Sequence, residues 1–415
     1  MHRAPTTDNV ATETRRQGAG RTLLIALTLG HVAVHWFQQL WPLIIPSLKA
    51  GLGLSSVELG ILSSVRQFMV GPMMLPSGIL ADFFRTRTRL ILVGAVLALG
   101  TSHILVALSD TYAWLLPSIA VVGIGTALWH PAATASLSLR FPQRRGSVLA
   151  MHGVGASIGD TIAPLAIGAL LLVVDWRIFL GLQFIPAVLV ALLLWPALGT
   201  IFQEVEGTRP SLRSYWADVQ ALVRHRVVLA IVGVNVFTGM ARVTTLTFLP
   251  VYLREQLDYS TFLLGVHVTL LYAMGAVSQP VLGHLSDRFG RQAVLLPSLV
   301  LFGLLHWGLV VAAPGLPLAL VVGAIGLFFY ALGTVTQATV MDVASERVQA
   351  STMGVTTFLG QIFTLPAPVI AGFVVSGFDL KAAFVFSGCA ILLGALLLAI
   401  VRVPPSSRPT PRFAG

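Results

Sequence analysis

The chain has 415 residues, 56% of them hydrophobic and only 10% charged, with a formal net charge of +10. Soluble domains carry about 25% charged residues, so this composition leaves too little polar surface to face water all round and excludes an ordinary soluble enzyme. The basic residues fall in short gaps between apolar runs rather than on one face, which excludes a nucleic-acid partner. The single cysteine, Cys389, excludes an intrachain disulfide or a cysteine-based metal site.

Residues 1–21 are polar, with Arg3, Arg15, Arg16 and Arg21, and read as a disordered tail. They do not read as a signal peptide, because the apolar run that follows is longer than a signal core of roughly 7–15 residues. Spans of roughly 20 apolar residues then fall at 22–48, 56–82, 90–109, 112–139, 146–172 and 176–200. A polar linker, 201–224, carries Glu204, Glu206, Arg209, Arg213, Asp218 and Arg224. Six further runs follow at 226–252, 260–286, 292–313, 316–341, 351–375 and 380–402, and residues 404–415 form a second tail. The expectation is an all-α membrane protein with twelve transmembrane helices, divided into halves at 22–200 and 225–403.

The halves match residue by residue. Pro46 pairs with Pro250, Gly60 with Gly265, Gly78 with Gly283, Asp82 with Asp287, Pro164 with Pro368, Gly168 with Gly372 and Asp175 with Asp379, every pair 204 or 205 positions apart. A run of pairs on one diagonal indicates an internal duplication. Of the 26 Lys and Arg residues, twenty fall in the tails, the linker and the loops on that side, and four (Lys49, Arg177, Arg254, Lys381) in the opposite loops. By the positive-inside rule both tails and the linker are cytoplasmic and the chain sits in the cytoplasmic (inner) membrane.

The two remaining arginines lie inside spans. Ionisable groups there cost roughly 2.5–3.5 kcal/mol on insertion scales and face a cavity or a partner. Arg66, Arg242, Asp160 and His35 all fall at mid-span, within a slab about 5 Å thick at a 1.5 Å rise per residue. Arg66 and Arg242 are candidate binders of a carboxylate or phosphate, since guanidinium stays protonated and presents a planar fork of donors; a structural partner such as Asp160 for Arg66 is the alternative. Asp160 and His35 are candidate proton carriers, against permanent roles as an arginine partner and a hydrogen-bonding strut. His31 shares the face of His35, and with Gln38 and Gln39 makes this helix unusually polar. His130 precedes Pro131 and reads as lining the substrate site or stabilising a kink. The histidines share no metal-ligand spacing in the sequence, so neither a metal nor any other cofactor is expected. Gly155, Gly159 and Pro164 form a small-residue face suited to close helix packing or a hinge.

One stretch carries a specific motif, Gly283-His-Leu-Ser-Asp287-Arg288-Phe-Gly-Arg291, echoed weakly at Gly78-Ile-Leu-Ala-Asp82. With twelve spans in two similar halves, it resembles the loop signature of the major facilitator superfamily of secondary transporters over residues 22–402. The first copy departs from the pattern, with Phe83 in place of Arg and Arg85 in place of Gly. Gly30-His31, Pro46, His130-Pro131 and the run His152-Gly-Val-Gly-Ala-Ser-Ile-Gly159 resemble more narrowly the fosmidomycin-resistance group of exporters. The resemblance implies a monomeric, lipid-embedded machine that alternates access to a midplane site. Gly78 and Gly283 are expected to let a neighbouring helix approach closely. Asp82, Asp287, Arg288 and Arg291 are expected to latch the halves together on the cytoplasmic side. The function expected is proton-coupled export of a small anionic or amphiphilic compound. Proton-driven uptake of an organic acid is the alternative, and a non-transporting sensor a distant one; no nucleophile–base pair or phosphate-cradling loop points to an enzyme.

Overall fold

The computed structural model describes residues 7–84, 87–198, 225–343 and 349–403, and they are helical apart from short turns. The first half runs α1 (Thr7–Leu52), α2 (Ser56–Val70), α3 (Met74–Phe83), α4 (Thr88–Ala107), α5 (Tyr112–Arg140), α6 (Arg145–Leu170), α7 (Trp176–Leu182) and α8 (Phe184–Leu198). The second runs α9 (Arg226–Glu255), α10 (Thr261–Phe289), α11 (Arg291–Val311), α12 (Leu316–Phe329), α13 (Ala331–Val343), α14 (Gln349–Thr364), α15 (Ala367–Gly377) and α16 (Ala382–Ile400). Within the described residues, 11 helical stretches are long and apolar enough to cross a membrane.

The span expected at 56–82 makes the twelfth, broken between α2 and α3. Pro72 lies in that break; it has no N–H to donate and its ring crowds the carbonyl four residues back. The capping glycine Gly71 still donates to Gln67 O at 2.8 Å, so α2 ends with its last turn closed. Pro366 acts in the same way between α14 and α15. The tail read as disordered is helical from Thr7 onward, in keeping with its Ala, Glu, Gln and Arg content. The linker 201–224, the tail 404–415, Arg85 and the side chain of Asp82 lie outside the described residues.

The duplication pairs occupy equivalent places on two seams between the halves. On one seam α2 lies against α15, with Gly60 facing the Pro368 carbonyl and Gly372 facing the Ser56 carbonyl. On the other α6 lies against α10, with Gly265 facing the Pro164 carbonyl and Gly168 facing the Thr261 carbonyl. None of these four positions has room for a Cβ, because the backbones themselves are in contact. Thr261 Oγ1 donates to Gly168 O at 2.9 Å and Thr269 Oγ1 to Thr161 O at 3.0 Å across the second seam. Ser64 Oγ donates to Leu365 O at 2.7 Å across the first. Ser56 and Thr261 open α2 and α10, so both seams close the face of the bundle away from the chain termini. Lys49 and Glu255, at 2.7 Å, add an ion pair between the halves on that face.

The loop motif lies on the opposite face, and its described bonds stay within the second half. Gly290 joins α10 to α11 at φ +97°, a left-handed conformation that explains why glycine stands there. Arg291 pairs with Asp287, donates from Nε to Asp342 Oδ2 at 2.9 Å on α13, and reaches Ser286 Oγ at 2.7 Å. Arg288 lies over the Phe289 ring, 5.4 Å from its centroid. The latch expected between the halves therefore appears in this conformation as a brace inside one half. Nor does Gly283 admit a neighbour: nothing lies within 4 Å of a Cβ placed there, while at Gly78 the closest atom is Pro131 Cβ at an ordinary 3.8 Å. Arg291→Ala would leave the largely buried Asp342 carboxylate without its cation. It should cost on the order of 3 kcal/mol, read as a lowered melting temperature, whereas Arg288→Ala should leave melting unchanged.

Candidate functional site

Between the halves lies a cavity of about 370 Å³, lined by residues of α1, α2, α6, α9, α10 and α12–α14. The four mid-span groups singled out by depth, Arg66, Arg242, Asp160 and His35, all line it. The depth count works because each helix rises by a fixed step, so position along a span is a coordinate.

Arg66 comes from α2 and Arg242 from α9, one from each half. Arg66 Nη2 makes a long contact, 3.4 Å, to Gln38 O, and its guanidinium lies 5.9 Å from the Trp41 ring. Arg242 stacks over Tyr330 at 4.3 Å and near Phe329 at 5.4 Å. Both Nε atoms are buried without a hydrogen-bond partner. Among the described residues no carboxylate pairs with either arginine. Cation–π contact offsets part of the desolvation of Arg242 but neutralises nothing. The cavity therefore holds two positive charges in a weakly screened space, with donors unused.

Asp160, the carboxylate in this cavity, is engaged elsewhere. Its Oδ1 accepts from His35 Nδ1 at 2.9 Å and from Gln39 Nε2 at 2.7 Å. The alternative that paired it with Arg66 is not what the geometry shows. Asp160 is held by α1, and α1 can reach it because Gly159 and Gly155 of α6 carry no side chain. A Cβ on Gly159 would come within 2.7 Å of both Val32 O and His35 Cβ, and one on Gly155 within 2.5 Å of Thr28 O.

His130 does not line the cavity. Its Nδ1 donates to Thr126 O at 3.0 Å, just before Pro131 in α5, and its ring lies 5.8 Å from His35 and 5.3 Å from His31. His152 stacks on His31 at 4.0 Å with an 11° interplanar angle. Histidines without a common spacing thus converge from α1, α5 and α6. His103, His267 and His306 instead donate to the carbonyls of Leu99, Leu263 and Phe302, one turn back on their own helices.

Sequence reasoning missed the uncharged polar lining. Gln67, Asn235, Gln337 and Gln361 face the cavity with Gln38 and Gln39. Thr336 Oγ1 donates to Asn235 Oδ1 at 2.7 Å, and Gln67 donates to Gln361 across the halves. The signal was present, since each amide interrupts an apolar run, but an amide is cheaper to bury than a charge and stands out less. Of the aromatic residues, Trp41, Tyr272, Phe328, Phe329 and Tyr330 line the cavity, whereas Trp129, Phe248 and Tyr252 are core. The lining supplies cations, amides, hydroxyls and π-faces, a set suited to holding a polar anion.

Comparison with known proteins agrees with this architecture. The sequence model of the Major Facilitator Superfamily matches residues 27–364 and 231–415. A probable L-galactonate transporter of Escherichia coli (strain K12) is 24% identical over 390 residues, covering 86% of this chain and 84% of its own. Among solved structures, the nucleoside transporter NupG superposes with a TM-score of 0.75 at 14% identity, over 91% of this chain and 98% of its own. A bacterial homolog of the human lysosomal transporter Spinster, inward-facing and unoccupied, gives 0.71 at 16% identity, over 92% and 95%.

Proposed function

The chain belongs to the Major Facilitator Superfamily and is a multi-pass membrane transporter, and from that premise we propose that its cargo is a small, hydrophilic organic anion bound between Arg66 and Arg242. The observation that carries this reading is the pair of guanidiniums, one from each half, facing one cavity with no carboxylate among the described residues on either. A planar fork matches a carboxylate bidentately, which an ammonium does not. Because the arginines belong to different halves, one anion can touch both and so contact the two bodies whose relative motion exposes the site.

The amide belt narrows the class. A drug-like amphiphile suits apolar walls, whereas Gln67, Asn235, Gln337 and Gln361 suit hydroxyl groups. A polyhydroxylated carboxylate satisfies both the cations and the amides, and the similarity to a probable L-galactonate transporter supports a sugar acid. Fosmidomycin joins the screen because of the narrower sequence resemblance. The test is counterflow in proteoliposomes, with sugar acids, simple carboxylates and fosmidomycin set against the matching neutral sugars. Sugar acids should exchange and neutral sugars should not; exchange of neutral or cationic compounds alone overturns the reading. Imposed pH gradients of either sign, in vesicles of known orientation, report the direction and whether protons drive it.

A further inference from the structure

Beside the cavity, and not needed by the anion reading, three imidazoles meet. His31 and His35 stand one turn apart on α1 and His130 comes from α5, and one ring nitrogen from each lies within 4.8 Å of the others. The rings meet edge to face, at centroid distances of 4.7, 5.3 and 5.8 Å. We propose that His31, His35 and His130 form a binding site for a divalent transition-metal ion of the zinc, cobalt or nickel class.

The hydrogen bonds make the case. His31 Nδ1 meets the His152 carbonyl at 2.9 Å, His130 Nδ1 meets the Thr126 carbonyl at 3.0 Å, and His35 Nδ1 meets Asp160 Oδ1 at 2.9 Å. A carbonyl or carboxylate oxygen only accepts, so each Nδ1 carries a proton, and a ring in its neutral form then presents its Nε2 lone pair to a metal. The Nε2 of His31 is buried with no partner at all. Three histidines, each fixed through Nδ1 by an oxygen acceptor and each with a free Nε2, reproduce the support that metal-ligating histidines receive in proteins. The His35–Asp160 contact supplies the carboxylate–histidine arm of that pattern.

Imidazole suits zinc, cobalt, nickel and copper, while magnesium and calcium need oxygen ligands. Nitrogens bound at 2.0–2.1 Å around a tetrahedral ion stand about 3.4 Å apart. The three rings, with one nitrogen of each within 4.8 Å of the others, must therefore close further around an ion by side-chain rotation. His35 also lines the cavity, which gives an ion a route in. His152, stacked on His31, makes no hydrogen bond of good geometry through either ring nitrogen and backs the site from α6. Sequence spacing shows only the His31 and His35 pair, one turn apart on α1; His130 joins it from α5, which packs against α1 where Gly30 faces the Trp129 ring.

The test is a Co²⁺ titration of the purified full-length chain, prepared without a histidine tag and followed by visible absorption. One Co²⁺ per chain should bind with the intense d–d bands of a low-coordinate nitrogen-rich site, and Zn²⁺ should displace it. His31→Gln and His130→Gln should each weaken binding at least tenfold, whereas His225→Gln and His284→Gln, exposed and outside the cluster, should not. His130→Cys should keep the site and add a thiolate-to-cobalt charge-transfer band, a signal that misfolding cannot produce. Absence of any low-coordinate spectrum in the unaltered chain, or one that survives in His31→Gln and His130→Gln, overturns the proposal. Because the readout is metal binding, it stands or falls separately from the anion assay.

Discussion

Arg242→Gln should abolish organic-anion counterflow while the protein stays folded and monodisperse in detergent. Gln keeps hydrogen-bonding capacity but removes the charge, and a hydrogen bond to a charged group contributes about 1.5–3 kcal/mol, or roughly 10–150-fold in affinity. Arg242→Lys should fall between, because a compact ammonium keeps the attraction and loses the planar fork. Arg66→Gln should be as damaging if one anion contacts both halves. Substrate-induced protection against thermal unfolding separates binding from turnover: it should vanish with transport in both Gln variants. A structural role predicts the opposite pattern. Stripped of its cation, the π-faced pocket of Tyr330 and Phe329 would lose stability even without substrate, and binding by the surviving protein would be intact. Unchanged substrate protection in Arg242→Gln would therefore remove the basis for the anion reading.

How much of this could be read beforehand differs by feature, for physical reasons. The spans were legible because backbone polar groups in lipid must be satisfied within a helix, so long apolar runs have few alternatives. The breaks were less so: Pro72 and Pro366 end helical segments, while Pro46, Pro131 and Pro250 are carried inside theirs. Whether a proline breaks or is tolerated depends on neighbours that can take up the freed carbonyl, which one segment cannot reveal. Depth along a helix was legible, and it placed Arg66, Asp160, Arg242 and His35 on one cavity. Rotation about the helix is not legible, so the sequence leaves the partner of Asp160 open between an arginine and others, and leaves His130 open between lining the site and stabilising a kink at Pro131. The loop motif identified the architecture, yet the described bonds of Arg291 run to Asp287, Ser286 and Asp342. A linear motif specifies which groups are present and not which body holds them.

The second large effect concerns the seams. At Gly265 the backbone of α10 rests on the Pro164 carbonyl, and a Cβ there would also sit 3.4 Å from Gly168 Cα. These are backbone neighbours, so no side-chain rotation makes room, and Gly265→Leu forces α6 and α10 apart. Transport should be lost, because the cycle can no longer close the face away from the termini. Anion binding should persist, since Arg66 and Arg242 are untouched. The displacement is readable with a cysteine at Thr261, whose hydroxyl now bonds Gly168 O at 2.9 Å across the seam. In a Cys389→Ser background, Thr261→Cys in the detergent-solubilised protein should react slowly with a maleimide and much faster when Gly265→Leu is added. Gly181→Leu is the matched control, since nothing lies within 4 Å of a Cβ at that position. The internal repeat sharpens the expectation: Gly60→Leu, at the paired position on the other seam, should produce the same loss. Two glycines 205 residues apart failing in the same way would show that the duplication preserved the device that brings the two halves together. Slow labelling retained in Gly265→Leu, with transport lost, would instead place the damage in folding or in the site.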